Sequence, residues 1–410
     1  MPMWNMTKRS FMAGTLLACF ALPVAGQAQE KIRIGMTVSS SGNFALASQS
    51  GVRGVEIWVD EVNANGGLEV NGEKRLVELV KRDDRSDKQM VARVYEDLIA
   101  NENVDVLMAP FGSTLTAAAA TVTERLGKFM VIWSAASDAL YDQGFKNIVS
   151  ATQMPVSRMP SAGLEAAAAL GNKKVAIVNV DEPFPAGLAD GAEAIAEKLG
   201  MEVVLKEDYP KGTKDFSLLL QKARAAGADV FFPTSYEGDL ISMVRQMHQM
   251  NVNFPFSFMV YASTPQFIEI GDDAQYIYSH TNFHPTINWE VNAGLDREGF
   301  LAAYEKLFPA VSYEPDFQTV LAYGAAVIAG EIIENAESLD AADMKKAAME
   351  LSDNLTVLAG PYAIDETGKQ LKMPFPVVQL QPGKGLVTVW PEEVAVAEPV
   401  YPIPGWDQRD

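Results

Sequence analysis

The stretch VDVLMAPFGSTLTAAAA, residues 104–120, predicts a strand, a tight turn and a helix in succession. An apolar run ends at Met108, a Gly-Ser-Thr turn follows, and an alanine-rich segment continues from it. Ser113 and Thr114 therefore stand where the helix begins. Their hydroxyls could act as a nucleophile, contact a phosphate or bind the charged end of a small solute.

Strands and helices alternate regularly on both sides of this unit. In the first half, strands are predicted at residues 31–38, 75–84, 104–109 and 129–134. After a joining stretch the alternation restarts, with strands predicted at 173–180, 201–208, 229–234 and 254–260. Such alternation is typical of right-handed βαβ units and parallel sheets. We therefore predict an α/β fold with two doubly wound parallel-sheet domains and a cleft between them.

The last third of the chain departs from this alternation. A helical region is predicted over residues 293–353, and strands return at 360–365, 375–381 and 386–390. Residues 391–410 are rich in proline and predict an extended arm rather than a domain.

The N-terminus predicts export. Lys8 and Arg9 precede an uncharged apolar run, residues 10–24, and small residues follow up to Ala28. This order is typical of a secretory signal peptide, and we assign residues 1–28 to it. The basic pair is a weak match to a twin-arginine signal, with lysine in place of the first arginine.

Composition argues against disulfide-bonded, nucleic-acid-binding and membrane-spanning classes of protein. The single cysteine, Cys19, lies inside the predicted signal peptide and in a poor lipoprotein context, so the mature chain would hold no disulfide. Losing Lys8 and Arg9 changes the formal charge from −20 to −22, because no acidic residue precedes Glu30. Such an acidic surface argues against nucleic acid as a partner. No later segment reaches the roughly 18 continuous apolar residues of a membrane span, so we expect an exported, soluble product.

Ligands of doubly wound sheets bind beyond the carboxyl ends of the strands, so the loops that follow the strands are the candidate sites. In the first half these loops are residues 39–44, 82–87, 111–116 and 134–141. Three of them place hydroxyls or glycine at a helix N-terminus, where backbone N–H groups and the helix dipole favour an anion. The alternative is that the serines and threonines only cap helices.

Catalytic and metal chemistry fit these loops poorly. Ser113 is not in a Gly-x-Ser-x-Gly turn, and none of the three histidines is placed to activate it. We expect structural roles for these histidines, which are His248, His280 and His284. No lysine follows the glycine as a phosphate loop requires, and Asp87 of the 82–87 loop is expected to cap a helix. We therefore predict neither a metal nor a cofactor.

The loops after the strands of the second half are residues 181–185, 234–239 and 260–265. They supply the aromatic residues Phe184, Tyr236 and Tyr261, which are typical walls of a small-molecule site. Packing between the two domains is the alternative. The same loops carry three acids, Glu182, Glu237 and Asp239.

Several of these segments resemble the branched-chain amino-acid type of periplasmic solute-binding protein, which serves ABC importers. The resemblance covers residues 31–390. It rests on KIRIGMTVSSSGNF (31–44), EVNANGG (61–67), LVKRDDRSD (79–87), APFGSTLTAAA (109–119), ASDALYDQGFKNIV (136–149), YEPDFQ (313–318) and GPYAIDETGKQ (360–370). It implies the type I fold, in which two lobes joined by three crossovers close on a solute and present it to an inner-membrane permease. The implied lobes are 29–151 with 285–357, and 152–284 with 358–390.

The resemblance also implies the site. Ser113 and Ser137 match the positions that bind the ligand carboxylate, and Ala135 offers a backbone carbonyl. Thr114 and Phe44 are the neighbouring candidates on the same edge. Phe184, Tyr236 and Tyr261 would surround the rest of the solute.

One departure from the family pattern concerns charge. Amino-acid binders of this type carry a glutamate after the strand that here reads FSFMVY, and this chain has Val260-Tyr261 instead. Glu182, Glu237 or Asp239 could replace it, with Glu237 retained in the predicted site; otherwise the ligand has no α-amino group.

We expect a monomeric, non-catalytic binding protein for a small carboxylate-bearing solute, and an amino acid is the first candidate for that solute. An aromatic or other non-amino carboxylate or an amide is the alternative, and a secreted hydrolase using Ser113 is a more distant one.

Overall fold

The computed structural model describes residues 1–3, 30–287 and 289–409. Residues 31–410 pack as one unit. Of the separate unit formed by residues 1–30, only residues 1–3 and 30 are described, and they are exposed. The basic pair, Cys19 and the cleavage site of the predicted signal peptide lie outside the described residues.

The first half of the chain builds a parallel sheet with helices on both faces. Its strands and helices are β1 (Ile32–Val38), α1 (Ala45–Ala64), β2 (Leu68–Val70), β3 (Glu73–Arg75), β4 (Val77–Asp83), α2 (Lys88–Ala100), β5 (Val106–Met108), α3 (Ser113–Arg125), β6 (Met130–Ile132) and β7 (Ile148–Ser150). The sheet, called here the first sheet, has the order β4-β1-β5-β6-β7. Every residue of β5, β6 and β7 is buried, as expected for parallel strands covered on both faces. The strand order reverses between β1 and β5.

The middle of the chain repeats this arrangement. Its elements are α4 (Ser161–Ala169), β8 (Lys174–Val180), α5 (Pro183–Lys198), β9 (Glu202–Tyr209), α6 (Ser217–Ala225), β10 (Val230–Thr234), α7 (Glu237–Gln249), β11 (Phe256–Ser257) and α8 (Pro265–Ile268). The second sheet is parallel with the order β11-β10-β8-β9, so its strand order reverses between β8 and β10. Each sheet therefore has a topological switch point, where ligands of doubly wound folds bind.

The remaining elements form smaller antiparallel pairs and three helices. They are β12 (Tyr278–His280), α9 (Arg297–Leu307), α10 (Phe317–Asn335), α11 (Ala341–Glu350), β13 (Leu355–Val357), β14 (Gly360–Tyr362), β15 (Val377–Gln381) and β16 (Gly385–Trp390). The third sheet has the order β12-β15-β16, and a parallel bridge from Phe258 to Tyr278 joins it to the edge of the second sheet. Short 3-10 helices span Asp138–Leu140, Gly271–Ala274, Glu392–Val394 and Trp406–Gln408.

Two glycines of α1 bring the late helix α10 onto the first sheet. A Cβ on Gly54 would lie 2.0 Å from the carbonyl oxygen of Thr319, and one on Gly51 would lie 2.1 Å from the Trp133 ring. Only glycine therefore permits this approach. The length and apolar composition of α10 would suit a membrane span, but 89% of its most apolar window is buried inside the protein. This helix is thus a core element of the fold.

The C-terminal residues run in an extended path along the second and third sheets. The backbone N–H of Ile403 donates to the carbonyl of Pro255 at 2.9 Å, and the indole N–H of Trp406 donates to Val252 O at 2.7 Å. The Tyr278 hydroxyl donates to the carbonyl of Val400 at 3.0 Å. Arm and sheets are therefore joined by hydrogen bonds along the segment.

The predicted alternation of strands and helices agrees with the structure, and four differences concern short elements. The strand predicted over 254–260 is confined to β11, because the chain turns after Phe258 to follow the third sheet. The β2–β3 hairpin, β7 and β13 were not predicted. Each of these strands has three residues, too few to show a period of two.

Candidate functional site

Aromatic side chains from the switch points of the two parallel sheets contact one another. Phe44 and Phe111 follow β1 and β5 of the first sheet, and Phe184 and Tyr236 follow β8 and β10 of the second. The Phe44 and Tyr236 rings pack edge to face with centroids 4.9 Å apart. Phe184 lies 5.9 Å from Tyr236, and Phe111 lies 5.8 Å from Phe44. The carboxyl edges of the two parallel sheets are therefore in direct contact.

The turn that precedes α3 is held by the loop that follows β6. Gly112, the residue before the helix, has a φ of +81°, and its N–H donates to Ser134 Oγ at 3.0 Å. The N–H of Ser137 donates to Ser113 Oγ at 3.1 Å. Each serine hydroxyl accepts one backbone N–H, which leaves its own proton available for an acceptor such as a carboxylate. The structure thus brings Ser113 and Ser137 together at a helix N-terminus, a favourable place for an anion.

The other candidates on this edge have different surroundings. The carbonyl oxygen of Ala135 accepts from the Tyr141 hydroxyl at 3.3 Å. The Thr114 hydroxyl is buried and has no hydrogen-bond partner among the described residues. Phe44 is buried by its contacts with Phe111 and Tyr236.

The hydroxyls of the 39–44 loop are used mainly inside the first sheet. Asp84 is buried and accepts hydrogen bonds from Thr37 Oγ1 at 2.6 Å and Ser39 Oγ at 2.5 Å. Asp87 caps α2 by accepting from two backbone N–H groups, as predicted. This loop therefore contributes its aromatic residue to the site, while Ser39 braces the loop.

A narrow cavity of about 10 Å³, roughly the room of one water molecule, lies between the loops of the two parallel sheets, so a solute would enter only after the sheets move apart. Its lining residues are Phe111, Gly112, Ser134, Gln153, Met159, Phe184, Tyr236, Val260, Tyr261, His280, Phe317 and Gln318. Three of the predicted residues, Phe184, Tyr236 and Tyr261, line the cavity directly. Ser113 is not itself a lining residue but is next in sequence to the lining residue Gly112. The other predicted residues are not among the lining residues either: Ser137, Ala135, Thr114, Phe44 and Glu237.

None of the lining side chains in the described part of the chain carries a formal charge, provided that the histidine is neutral. Burial lowers the pKa of His280 to about 3, so its imidazole is neutral at physiological pH. Its Nδ1 is buried without a hydrogen-bond partner among the described residues. Sequence reasoning gave His280 a structural role, because nothing in the local pattern shows that the end of β12 reaches the cavity.

The acids proposed to replace the missing glutamate all contact other protein groups, but Glu182 Oε2 is buried near Tyr236 with no hydrogen-bond partner among the described residues. Glu182 Oε1 lies 2.5 Å from Lys211 Nζ. Asp239 accepts from the hydroxyls of Tyr209 at 3.1 Å and Ser235 at 3.0 Å. Glu237 accepts from the Thr264 hydroxyl, and burial raises the pKa of its carboxyl to about 7.

Gln153, Met159, Phe317 and Gln318 also line the cavity but were not predicted as site residues. Phe317 and Gln318 close the YEPDFQ segment, which was noticed only as part of a family resemblance. Gln153 and Met159 follow β7 in the stretch that joins the two parallel sheets. Because β7 was not predicted from the sequence, the segment after it was not recognised as a strand-end loop.

Comparison with known proteins shows which proteins share this architecture. The family model described as "Periplasmic binding protein" matches residues 31–385. A Leu/Ile/Val-binding protein homolog 7 from Brucella abortus is 29% identical over 398 residues, covering 91% of this chain and 95% of the relative. A leucine binding protein from Thermotoga maritima superposes with a TM-score of 0.76 at 22% identity, over 87% of this chain and 97% of that one.

A solute-binding protein of an ABC transporter from R. palustris, solved in complex with benzoate, has a TM-score of 0.73 at 18% identity. The match covers 91% of this chain and 99% of that one. At these identities the two structures show the fold alone. The α/β, type I periplasmic-binding fold predicted from the sequence is confirmed.

Proposed function

Because this chain belongs to the periplasmic binding protein family, we propose that it captures a small carboxylate-bearing solute in the cleft between its two parallel sheets. The family consists of periplasmic solute-binding proteins of ABC transporters and not of enzymes. We further propose the class of the solute, the residues that bind it and its delivery to an inner-membrane permease.

The paired serines at the start of α3 carry this proposal. Ser113 and Ser137 are joined by a hydrogen bond at 3.1 Å, and Ser134 and Gly112 form a second such pair beside them at 3.0 Å. Hydroxyl protons and the N-terminal end of α3 together form a site that suits a carboxylate. Ala135, Thr114 and Phe44 are the further candidate groups on this edge of the first sheet.

The aromatic walls would enclose the rest of the solute. Phe184, Tyr236 and Tyr261 line the cavity from the side of the second sheet. Movement of the two lobes about the crossovers would open and close this cavity. We assign the lobes to residues 29–151 with 285–357 and 152–284 with 358–390, with 391–410 as an arm on the second.

The class of carboxylate has two candidates. The names of the relatives favour a branched-chain amino acid, and benzoate is the ligand of the R. palustris protein. The absence of a charged side chain from the described lining residues favours a solute without an ammonium group, since a buried unpaired charge is costly. A non-amino carboxylate or an amide is therefore retained beside the amino acids.

The proposal is tested by calorimetric titration of the mature protein, with residues 1–28 removed, after native mass spectrometry has established that no solute is retained. Leucine, isoleucine and benzoate are the probes, and 3-methylbutylamine, 2-methylbutylamine and toluene are their counterparts without the carboxylate. We expect at least one carboxylate to bind and its counterpart not to bind. Equal binding of a carboxylate and its counterpart, or binding of no carboxylate, would contradict the proposal.

A further inference from the structure

The cavity has a second group of polar side chains, remote in sequence from the serine turns. Gln153 follows β7, His280 ends β12 and Gln318 lies in the first turn of α10. They are 7%, 1% and 3% exposed, respectively. None of the three comes from a switch point of the two parallel sheets. They therefore form one polar region of the wall, called here the connector subsite.

These side chains have few protein partners for their polar atoms. His280 Nδ1 is buried and unpartnered among the described residues. The hydrogen bond described for Gln153 uses its backbone carbonyl, which accepts from Ser150 Oγ at 3.1 Å, and leaves the side-chain amide to the cavity. The Gln318 amide lies against the Tyr261 hydroxyl, itself part of the lining. Buried polar groups are nearly always hydrogen-bonded, so the connector subsite calls for a polar partner.

The His280 ring is held in a fixed orientation by aromatic neighbours. It stacks on Phe375 with centroids 4.5 Å apart and contacts Phe258 and Phe317 edge-on at 5.9 Å each. A neutral imidazole presents one donor and one acceptor nitrogen. The two amides likewise offer both donors and acceptors. The connector subsite can therefore bind a hydroxyl, a carbonyl or a carboxamide.

The charges around the connector subsite do not suit a cation. Two neighbouring acids that are not lining residues are held by protein groups: Asp316 accepts from Ser50 Oγ at 2.6 Å and caps α10, and Glu237 accepts from the Thr264 hydroxyl. Glu182 Oε1 is paired with Lys211 Nζ, and its buried Oε2, unpartnered among the described residues, lies near Tyr236 on the wall formed by the second sheet. An ammonium ion in the cavity would face neutral amides and an imidazole with no carboxylate among its lining side chains.

We propose that Gln153, His280 and Gln318 bind an uncharged hydrogen-bonding substituent of the solute, so that the solute is a hydroxy-, oxo- or carboxamido-substituted carboxylate without an ammonium group. This inference rests on the proposed function, because the serine turns hold the carboxylate and leave the connector subsite for the second polar group. It also accounts for the lack of a glutamate after FSFMVY, because an uncharged second polar group of the solute needs no counter-charge.

Two matched pairs of probes test the inference by calorimetry on the mature protein. Leucine and 2-hydroxy-4-methylpentanoate differ by the exchange of an ammonium for a hydroxyl, and benzoate and 4-hydroxybenzoate differ by an added hydroxyl. We expect the hydroxyl member of at least one pair to bind tenfold or more tightly than its counterpart. Equal affinities in both pairs, or tighter binding of leucine, would overturn the inference and leave the proposed function intact. Binding of no carboxylate would instead overturn the proposed function.

Variants assign the preference to the connector subsite. His280→Phe retains the aromatic packing and removes both nitrogens, and Gln318→Leu removes the second amide at similar volume. Each is expected to reduce the hydroxyl preference at least fivefold. His248→Phe is the matched control, since His248 stacks on Trp406 at the surface, 53% exposed, and should leave the preference unchanged. A preference that persists in both cavity variants, with thermal unfolding as the check on folding, would refute the assignment.

Discussion

The backbone N–H of Ser137 donates to the hydroxyl oxygen of Ser113 at 3.1 Å, so two residues 24 positions apart meet at the N-terminus of α3. This bond joins the loops after β5 and β6 and orients the Ser113 hydroxyl. It is the geometric basis of the carboxylate site that we propose on the edge of the first sheet.

Replacement of Ser113 by alanine should weaken binding of a carboxylate solute by about 1–3 kcal/mol, as expected when a charged group loses a hydrogen bond. Titration calorimetry measures the change. Thr121→Ala is the control, because Thr121 lies on the same helix, is exposed and donates only to the carbonyl of Ala117. Equal affinities of Ser113→Ala and the control would show that the carboxylate binds elsewhere.

Tyr236 should contribute to binding through its ring more than through its hydroxyl. The ring contacts Phe44 of the opposite sheet edge at 4.9 Å, whereas the hydroxyl is buried without a hydrogen-bond partner among the described residues. Tyr236→Ala removes the aromatic contact and should weaken solute binding by about 1–3 kcal/mol. Tyr236→Phe should stay within about 1 kcal/mol of the wild type. A larger loss in the phenylalanine variant would indicate that the hydroxyl contacts the solute.

Glu237 should make the stability of the protein fall as the pH rises. Burial, with a contribution from Asp316, raises the pKa of its carboxyl from 4.5 to about 7 in the folded state. Between these values the folded state binds more protons than the unfolded state, so the free energy of unfolding decreases with pH. The full effect is about 3 kcal/mol at most.

Glu237→Gln removes this titration and keeps an acceptor for the Thr264 hydroxyl. Relative to the wild type, the variant should therefore be more stable at pH 8 than at pH 5. Urea unfolding of both proteins at the two pH values provides the measurement. A difference that does not change with pH would mean that Glu237 is ionised throughout the range.

Gly54→Ala should destabilise the protein through the contact between α1 and α10. Its Cβ would lie 2.0 Å from the carbonyl oxygen of Thr319, so the helices must separate. We expect the free energy of unfolding to fall by about 1–3 kcal/mol. Gly238→Ala is the control, because its Cβ meets nothing within 4 Å and alanine favours the helix by about 0.5–1 kcal/mol. Equal unfolding temperatures would show that α1 and α10 tolerate a wider spacing.

The site is only partly predictable from local sequence. The pattern of strand, glycine and helix predicts Ser113 as a site residue, and the family resemblance of the chain adds Ser137. Phe184, Tyr236 and Tyr261 were found because they follow strands. Gln153 was missed because β7, the strand that precedes it, was not predicted, and His280 and Gln318 lie outside the strand-end loops of the two parallel sheets.

The sequence by itself determined the alternation of buried strands and helices, because hydrophobic periodicity and turn residues act over short distances. The same local signals placed Ser113 at the start of α3. Only the tertiary structure decided which distant residues share the cavity, because the packing of β7, β12 and α10 brings Gln153, His280 and Gln318 together across more than a hundred residues of chain. Burial then decides their chemistry: away from water, His280 stays neutral, and its unpartnered nitrogen becomes a group that a solute can bind.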